Sequence, residues 1–192
     1  IGSEWMAILA VAVSLSFLVS APIHKNADIL YQYLRPQLKR LQRKKLHLED
    51  QPIELGQMQV VILGMGRIGE GAYDMLQQYY PDLVLGIDTD LDKIQHQIES
   101  GRAVIQGDAT DSDFWEKLAP SKDLKLVLLA MPHHHGNQYA LKQLKSGEFN
   151  AKIAAIAQFA DEAEKLKRLG ADEVFNLYNE AGAGFAEHVH SQ

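Results

Sequence analysis

Hydrophobic and polar positions divide the chain into two parts with different patterns. From Trp5 to Ile23 there are nineteen residues without a charged side chain, and as a helix this run would extend about 28 Å at 1.5 Å per residue. From Met58 onward, short apolar runs alternate with longer amphipathic stretches. The first pattern is typical of a membrane-spanning helix, and the second of a folded α/β domain.

The N-terminal apolar run admits three interpretations. A secretory signal peptide has a basic stretch before its apolar run, whereas only Ile1–Glu4 precedes this one, with one acid and no base. A buried or tethering helix of a soluble domain is the alternative. We favour the last spanning helix of a membrane domain, covering residues 1–23, with Trp5 at the membrane interface. The rest of that membrane domain would lie upstream in the same chain.

Residues 24–57 are predicted to be a basic connecting helix and linker. The bases follow the apolar run closely, so the positive-inside bias places everything after Ile23 in the cytoplasm and the chain at the inner (plasma) membrane. A seven-residue apolar repeat predicts a helix that Pro36 should kink; its positions are Ala27, Leu34, Leu41 and Leu48. The segment Glu49–Gly56 is interpreted as the linker into the folded domain.

Residues 58–192 are predicted to form a Rossmann-like, doubly wound parallel sheet. Six short apolar runs have the continuous hydrophobicity of parallel strands covered on both faces: MQVVIL, LVLGI, AVIQ, LVLLAM, KIAAIA and EVF. The amphipathic stretches between them are predicted helices, several of which start at Asp or Asn and end near Gly. Strands that alternate with helices in this way define the α/β class.

The segment VVILGMGRIGEG carries the strongest candidate site. Gly64, Gly66 and Gly69 have the G-x-G-x-x-G spacing at the end of the first strand, which suits a tight turn, close approach to a phosphate and close helix packing. Asp88 ends the next strand, where its carboxylate can accept hydrogen bonds from ribose hydroxyls and would repel a 2′-phosphate. The pattern predicts an adenine nucleotide site that disfavours NADP. The alternative is a plain strand–helix turn with Asp88 as a cap.

Composition narrows the classes of function. The net charge of −6 divides into +2 for residues 1–57, with seven basic and five acidic residues, and −8 for residues 58–192, with twelve and twenty. An acidic domain lacks the basic surface that a nucleic-acid partner needs. The chain has no cysteine, which excludes disulfides and thiolate metal sites.

Three consecutive histidines, His133–His135, follow the fourth predicted strand. Adjacent histidines do not easily converge on one ion, so we predict a polar loop beside the nucleotide cleft and no metal site. Their titration near neutral pH leaves a pH-sensing role open.

The motifs GMGRIG, IDTD, GDATDSD and LKRLGADEVF together resemble the TrkA-N, or RCK, nucleotide-binding domain of potassium channels and transporters. With an apolar helix ahead of them, they are most similar to the cytoplasmic tail of a Kef-type monovalent cation:proton antiporter. The resemblance spans about residues 58–178. It implies a regulatory domain that binds AMP, ATP or NAD(H) and gates potassium efflux. A potassium channel or uptake system with an RCK domain is the alternative.

The resemblance also assigns roles to individual residues. The acid after the second strand, Asp88 with Thr89, would hold ribose. The segment after the third strand, Gly107, Asp108 and Ala109, would lie against adenine, and Met131 flanks the same cleft. The phosphate would lie on the glycine-rich loop, which consists of Gly64, Met65, Gly66, Arg67, Ile68 and Gly69.

Two further implications concern partners. In this family a helix after the sixth strand crosses to a partner subunit, which implies a homodimer here, with Phe185 buried between subunits on a helix that begins at Glu180. Kef-type tails carry a basic stretch in the fifth strand that contributes to glutathione binding. The strand here reads AAIAQF, with Ile156, Ala157 and Gln158 at those positions, so glutathione is a doubtful ligand although Arg67 matches.

An NAD-dependent oxidoreductase fragment is the enzymatic alternative, because the same glycine fingerprint opens many dehydrogenases. After the sixth predicted strand only seventeen residues remain, 176–192. That length is too short for a substrate domain that closes on the nicotinamide and supplies a proton-transfer group. The sequence therefore predicts a domain that binds a nucleotide and is not an enzyme.

Overall fold

The computed structural model describes residues 3–25, 34, 52–119, 121–147 and 149–190. Two compact units form within the chain, Ile1–Glu49 and Asp50–Gln192. Most of the predicted connecting helix, in residues 26–33 and 35–51, lies outside the described residues, and there that prediction stays untested.

Helix α1 spans Ser3–Lys25 in the first unit. Its segment Glu4–Pro22 is 19 residues long, has a mean hydropathy of 2.0 and is exposed throughout. By length and composition this helix can cross a membrane.

The second unit alternates strands and helices along its whole length. Its strands are β1 (Val60–Leu63), β2 (Val84–Asp88), β3 (Val104–Gln106), β4 (Leu126–Leu129), β5 (Lys152–Ala157) and β6 (Glu173–Asn176). Its helices are α2 (Arg67–Tyr79), α3 (Leu91–Glu99), α4 (Ser112–Lys117), α5 (His134–Ser146), α6 (Ala160–Arg168) and α7 (Leu177–His190). Every strand predicted from the sequence overlaps one of these, which confirms the α/β class.

The six strands form one parallel sheet in the order β3-β2-β1-β4-β5-β6. Strand β1 lies at the centre, where Val60 pairs with Val84 on one side and Leu126 on the other. The chain therefore winds outward from β1 in one direction and then returns to continue from β4 in the other. In a sheet of this kind ligands bind beyond the carboxyl ends of the strands, at the point where the direction reverses.

Strand β1 shows why its sequence is apolar at every position. Val60 and Ile62 pack into a core cluster with side chains of α2 and α3. Val61 and Leu63 face a larger cluster with side chains of α4, α5 and α6. Each of the four is at most 2% exposed, because successive side chains of a strand point to opposite faces and helices cover both. Each such side chain contributes about 1.5–3 kcal/mol by its burial.

Helix α7 begins at Leu177, three residues before the predicted start at Glu180. The reason is local: the Asn176 side chain accepts a hydrogen bond from the N–H of Asn179, at 3.1 Å. This contact is the N-cap geometry for which asparagine is favoured. The helix therefore follows β6 directly, without an intervening loop.

The folded unit also includes part of the predicted linker Glu49–Gly56. The N–H of Ile53 donates to the carbonyl of Lys117 at 2.8 Å, and the N–H of Ala119 donates back to Ile53 at 3.0 Å. Leu55 is 3% exposed and belongs to the larger core cluster. These contacts attach residues 53–55 to the end of α4.

Candidate nucleotide-binding site

The glycine-rich turn after β1 is held against the neighbouring strands by its backbone. Gly64 has a φ of +99°, a conformation that favours glycine, and its N–H donates to the carbonyl of Ile87 at 2.8 Å. A Cβ atom at Gly64 would lie 2.9 Å from the backbone of Ala130 and from the nitrogen of Met131. The turn therefore packs directly on the loop that follows β4.

The other two glycines of the fingerprint have opposite surroundings. A Cβ atom at Gly69 would lie 1.9 Å from the carbonyl oxygen of Gly64, whereas one at Gly66 would meet no atom within 4 Å. Gly69 thus lets α2 approach the turn closely. Gly66 stands at the N-cap of α2 without a side chain to cap the helix. Open space at a helix N-terminus is suited to a phosphate, which N–H groups and the helix dipole attract.

Asp88, at the carboxyl end of β2, joins the glycine-rich turn to two other loops. Its Oδ2 accepts a hydrogen bond from the N–H of Met65 at 2.7 Å, and its Oδ1 accepts one from the N–H of Asp90 at 3.0 Å. Its carbonyl accepts the N–H of Gly107 at 2.9 Å. The carboxylate is half-buried and keeps further acceptor positions. It lies where the sequence placed the ribose-binding acid, with the exposed Thr89 beside it.

The loop after β3 lies at the same edge of the sheet and is held by hydrogen bonds of its own. Asp108 Oδ1 accepts hydrogen bonds from the backbone N–H of Thr110 at 2.8 Å and from its hydroxyl at 2.6 Å. Ala109 is 5% exposed, and its carbonyl accepts the indole N–H of Trp115 at 3.0 Å. A Cβ at Gly107 would lie 2.7 Å from the ring of Phe114. The structure thus places this segment beside Asp88.

The two methionines of the predicted site have different positions. Met65 is 1% exposed in the core, and its sulfur lies where Gly86 leaves room for it, so only its backbone N–H reaches the site edge. Met131 is half-buried. A Cβ at Gly136 would meet both the Met131 sulfur, at 3.4 Å, and Thr110 Cγ2, at 3.3 Å. Met131 and Thr110 therefore approach each other across Gly136.

The remaining residues of the glycine-rich loop differ in exposure. Arg67 is exposed at the first position of α2, and Ile68 is half-buried against the smaller core cluster. The Arg67 side chain is thus accessible to solvent at the N-terminal end of α2, while Ile68 packs the helix against the core.

Sequence reasoning missed Asn137, which it interpreted as the start of a helix. Helix α5 instead begins at His134, so Asn137 lies in its first turn and is 2% exposed. The side-chain amide bonds to the N–H and the carbonyl of Met131, at 3.2 and 3.0 Å, and to the carbonyl of Ile156, at 3.4 Å. The only signal in the sequence was an asparagine soon after the fourth strand.

The three histidines do not act alike. His133 and His135 are exposed, whereas His134 is half-buried and its ring contacts the amide of Gln138. Burial lowers the pKa of His134, which Glu162 opposes and Lys165 reinforces. The neutral ring is therefore favoured near pH 7. In the part of the chain that the structure describes, three or more His, Cys, Asp or Glu side chains do not gather in a metal-binding group.

The end of β5 is occupied by polar groups of its own. The backbone N–H groups of Gln158 and Phe159 donate to the Glu162 carboxylate at 2.9 and 3.3 Å. The Gln158 side-chain amide donates to the carbonyl of Pro132 at 3.3 Å. A carboxylate therefore already fills the N-terminus of α6, where an added anion would meet like charge.

The strand order, the glycine-rich turn at the end of the central strand β1 and Asp88 at the end of the adjacent strand β2 define a Rossmann-type fold. The family model of the TrkA-N domain matches residues 60–177, and the chain belongs to this family. The resemblance seen in the sequence motifs is thereby confirmed. A protein of Alkalimonas amylolytica named as a K(+) efflux antiporter, KefB, is 29% identical over 136 residues. The match covers 69% of this chain and 20% of that protein, so the chain spans about a fifth of this relative's length.

Solved structures share the fold. The NAD(P)-binding domain of an exopolyphosphatase-related protein from Archaeoglobus fulgidus has a TM-score of 0.62 at 20% identity, covering 70% of this chain and 99% of that one. The AMP-bound Kef CTD of Shewanella denitrificans has a TM-score of 0.57 at 21% identity, covering 69% and 79%. The GsuK channel bound to NAD has a TM-score of 0.54 at 21% identity, covering 91% and 31%.

Proposed function

We propose that residues after Ile23 form a cytoplasmic nucleotide-binding regulatory domain of a potassium, or other monovalent cation, proton antiporter. An adenine nucleotide such as AMP, ATP or NAD(H) would bind at the carboxyl edge of the sheet and shift a conformational equilibrium of the membrane part. One observation carries this proposal: the 2.7 Å hydrogen bond from Met65 to Asp88. It joins the open helix N-terminus at Gly66, suited to phosphate, to a carboxylate suited to ribose.

The family membership and the relatives support this function. One relative is named as a K(+) efflux antiporter, one similar structure is a Kef CTD with AMP, and another is a channel with NAD. We propose from these that α1 is the last spanning helix of a transport domain in the inner membrane. The RCK domain of a potassium channel is the second candidate, because the GsuK match extends over 91% of this chain. Sequence upstream of Ile1 separates the two, since a channel has a selectivity-filter loop and an antiporter has many spans with intramembrane acids.

We also propose that the domain binds its nucleotide without turnover and disfavours NADP. The hydrogen bonds of Asp88 and Asp108 hold the loops after β1, β2 and β3 in fixed positions. Fixed loops are suited to binding a ligand. A 2′-phosphate on the ribose would lie against the Asp88 carboxylate, and this repulsion lowers the affinity for NADP.

Calorimetric titration of residues 50–192 tests the nucleotide proposal. We expect saturable heat with at least one of AMP, ADP, ATP, NAD and NADH, the nucleotide being recovered unchanged, and weaker binding of NADP than of NAD. Glutathione in a parallel titration should give no saturable heat, because Gln158 supplies no forked donor for its carboxylates and Glu162 occupies the N-terminus of α6. A folded protein that gives no heat with any of the five nucleotides would contradict the proposal.

We propose that α7 mediates a homodimer. None of its side chains is buried within the chain, although it carries large apolar groups. Phe185 is 72% exposed, Val189 59% and Tyr178 57%, and Phe175 on the edge strand β6 is 50% exposed. An exposed set of this kind marks an interaction surface. A second copy fits it because both faces of the pair would be apolar, and the large apolar side chains of α7 stay exposed although the Tyr178 ring lies 5.7 Å from that of Phe159.

Phe185→Asp is expected to convert a dimer of residues 50–192 into a monomer, since it places a charge in the apolar interface. Glu187→Gln, on the same helix, removes a charge without changing the apolar surface and should leave the dimer intact. Sedimentation velocity at tens of micromolar protein measures both. An unaltered domain that sediments as a monomer at this concentration would rule out a stable dimer of the isolated domain.

A further inference from the structure

The buried amide of Asn137 holds the backbone of the loop between β4 and α5. Its Oδ1 accepts the N–H of Met131, and its Nδ2 donates to the carbonyls of Met131 and Ile156. The residue is 2% exposed, so water does not compete for these bonds. A buried amide whose hydrogen bonds all go to backbone fixes that backbone firmly, because each unmade bond would cost its full desolvation penalty.

The backbone of Met131, which Asn137 holds in place, is also part of the surface on which the glycine-rich turn packs. Gly64 approaches Ala130 and the nitrogen of Met131 so closely that a Cβ would lie 2.9 Å from both. Ala130 in turn donates its N–H to Leu63 at 2.8 Å. A shift of Met131 would therefore be transmitted to Gly64, and from there to the open N-terminus of α2 at Gly66.

A second amide holds the next residue of the same loop. The side chain of Gln158, after β5, donates to the carbonyl of Pro132 at 3.3 Å in a more exposed position. Asn137 makes three bonds from a buried position and Gln158 makes one at the surface. Asn137 therefore contributes more than Gln158 to holding the backbone of the loop between β4 and α5.

We propose that Asn137 is a positioning residue for nucleotide binding, which holds Met131 and, through it, the glycine-rich turn in their binding geometry before the ligand arrives. The inference rests on the proposed nucleotide-binding function. Preformed loops spare the ligand the cost of ordering them, which is the general source of tight binding by rigid sites.

The test is titration of AMP into the full 192-residue chain in detergent, at a temperature where circular dichroism shows each variant folded. Asn137→Leu is expected to weaken AMP binding by about tenfold, as fits the loss of one or two net hydrogen bonds. Gln138→Leu is the matched control. Gln138 is the next residue of α5, is 7% exposed, and bonds to His134 rather than to the cleft; its removal should change the affinity by less than about twofold.

Asn137→Asp keeps the test decisive if the leucine variant does not fold. The ionised carboxylate would face the carbonyl oxygens of Met131 and Ile156, whereas the protonated acid can donate to one of them. The affinity for NAD, relative to the unaltered chain at each pH, should rise as the pH falls from about 8 to about 5. A purely structural role would leave this ratio constant while both proteins stay folded.

The outcomes separate this inference from the proposed function. AMP affinity of Asn137→Leu within about twofold of the unaltered chain, or a ratio for Asn137→Asp that does not change with pH, overturns the positioning role alone. An unaltered chain that binds none of the adenine nucleotides overturns the proposed function and this inference with it. Tenfold weakening by Asn137→Leu, with the Gln138→Leu control unaffected, supports both.

Discussion

Gly69→Ala should lower the free energy of unfolding of the domain by about 3 kcal/mol or more. The new Cβ would lie 1.9 Å from the carbonyl oxygen of Gly64, a backbone atom that cannot move away as a flexible side chain could. Relief requires α2 to move away from β1. That movement would open the smaller core cluster, in which Tyr73 of α2 packs with Val60 and Ile62.

Thermal unfolding of residues 50–192, followed by circular dichroism, measures the effect. A loss of about 3 kcal/mol corresponds to a fall in the melting temperature of roughly 10 °C for a domain of this size. Gly71→Ala is the matched control: it lies two residues further along α2, and a Cβ there meets no atom within 4 Å. Alanine in a helix interior is favoured over glycine by about 0.5–1 kcal/mol. Gly71→Ala should therefore have a higher melting temperature than the unaltered domain. Equal melting temperatures for the two variants would show that α2 is free to shift.

Most of the fold could be predicted because each strand is marked by a local sequence pattern, a short apolar run. The run VVIL of β1 is apolar at every position, and the structure covers both of its faces with helices. Continuous apolarity over four residues is the local consequence of a central position in a parallel sheet. The start of α7 could also have been found, since Asn176 is an N-cap residue at the correct spacing from the end of β6.

Other features depend on contacts between distant residues and leave little trace in the sequence. Ile53 and Leu55 are isolated apolar residues in a polar stretch, without a period that would assign them to the core. Asparagine is a residue type favoured at helix N-termini, which is how the sequence pattern interprets Asn137. Only the fold brings its side-chain amide to Met131 and Ile156. Burial of a polar side chain is decided by the neighbours it meets in space, which local patterns do not contain.

In the candidate site, Asp88 has one feature that the local sequence predicts and one that it does not. The sequence placed Asp88 correctly as an acid at the end of β2, because spacing from the glycine-rich loop is a local property. Its hydrogen bond to Met65 joins residues 23 positions apart, and no local pattern predicts that. Asp88 therefore holds the glycine-rich turn, and under the proposed function it would also offer an acceptor to a ribose.

Asp88→Ala is therefore expected to weaken AMP and NAD binding by about 1.5–3 kcal/mol, the range for a lost hydrogen bond to a charged group. This corresponds to about tenfold to more than a hundredfold in the dissociation constant. The variant also removes the acceptor of the Met65 N–H, at 2.7 Å, so the glycine-rich turn would be held less firmly. Because the variant lacks the negative charge, NADP should lose less affinity than NAD, and the preference between them should narrow.

Asp90→Ala is the control for this prediction. Asp90 caps α3 by accepting hydrogen bonds from the N–H groups of Asp92 and Lys93, at 3.1 and 3.3 Å. Its removal should cost about 1 kcal/mol of stability. The backbone N–H that Asp90 donates to Asp88 remains in the alanine variant, so the glycine-rich turn keeps its support. Calorimetry on both variants, at a temperature where each is folded, should show a large loss of affinity for Asp88→Ala and almost none for Asp90→Ala. Unchanged nucleotide affinity in Asp88→Ala would mean that the ribose is held by another group and that Asp88 serves the turn alone.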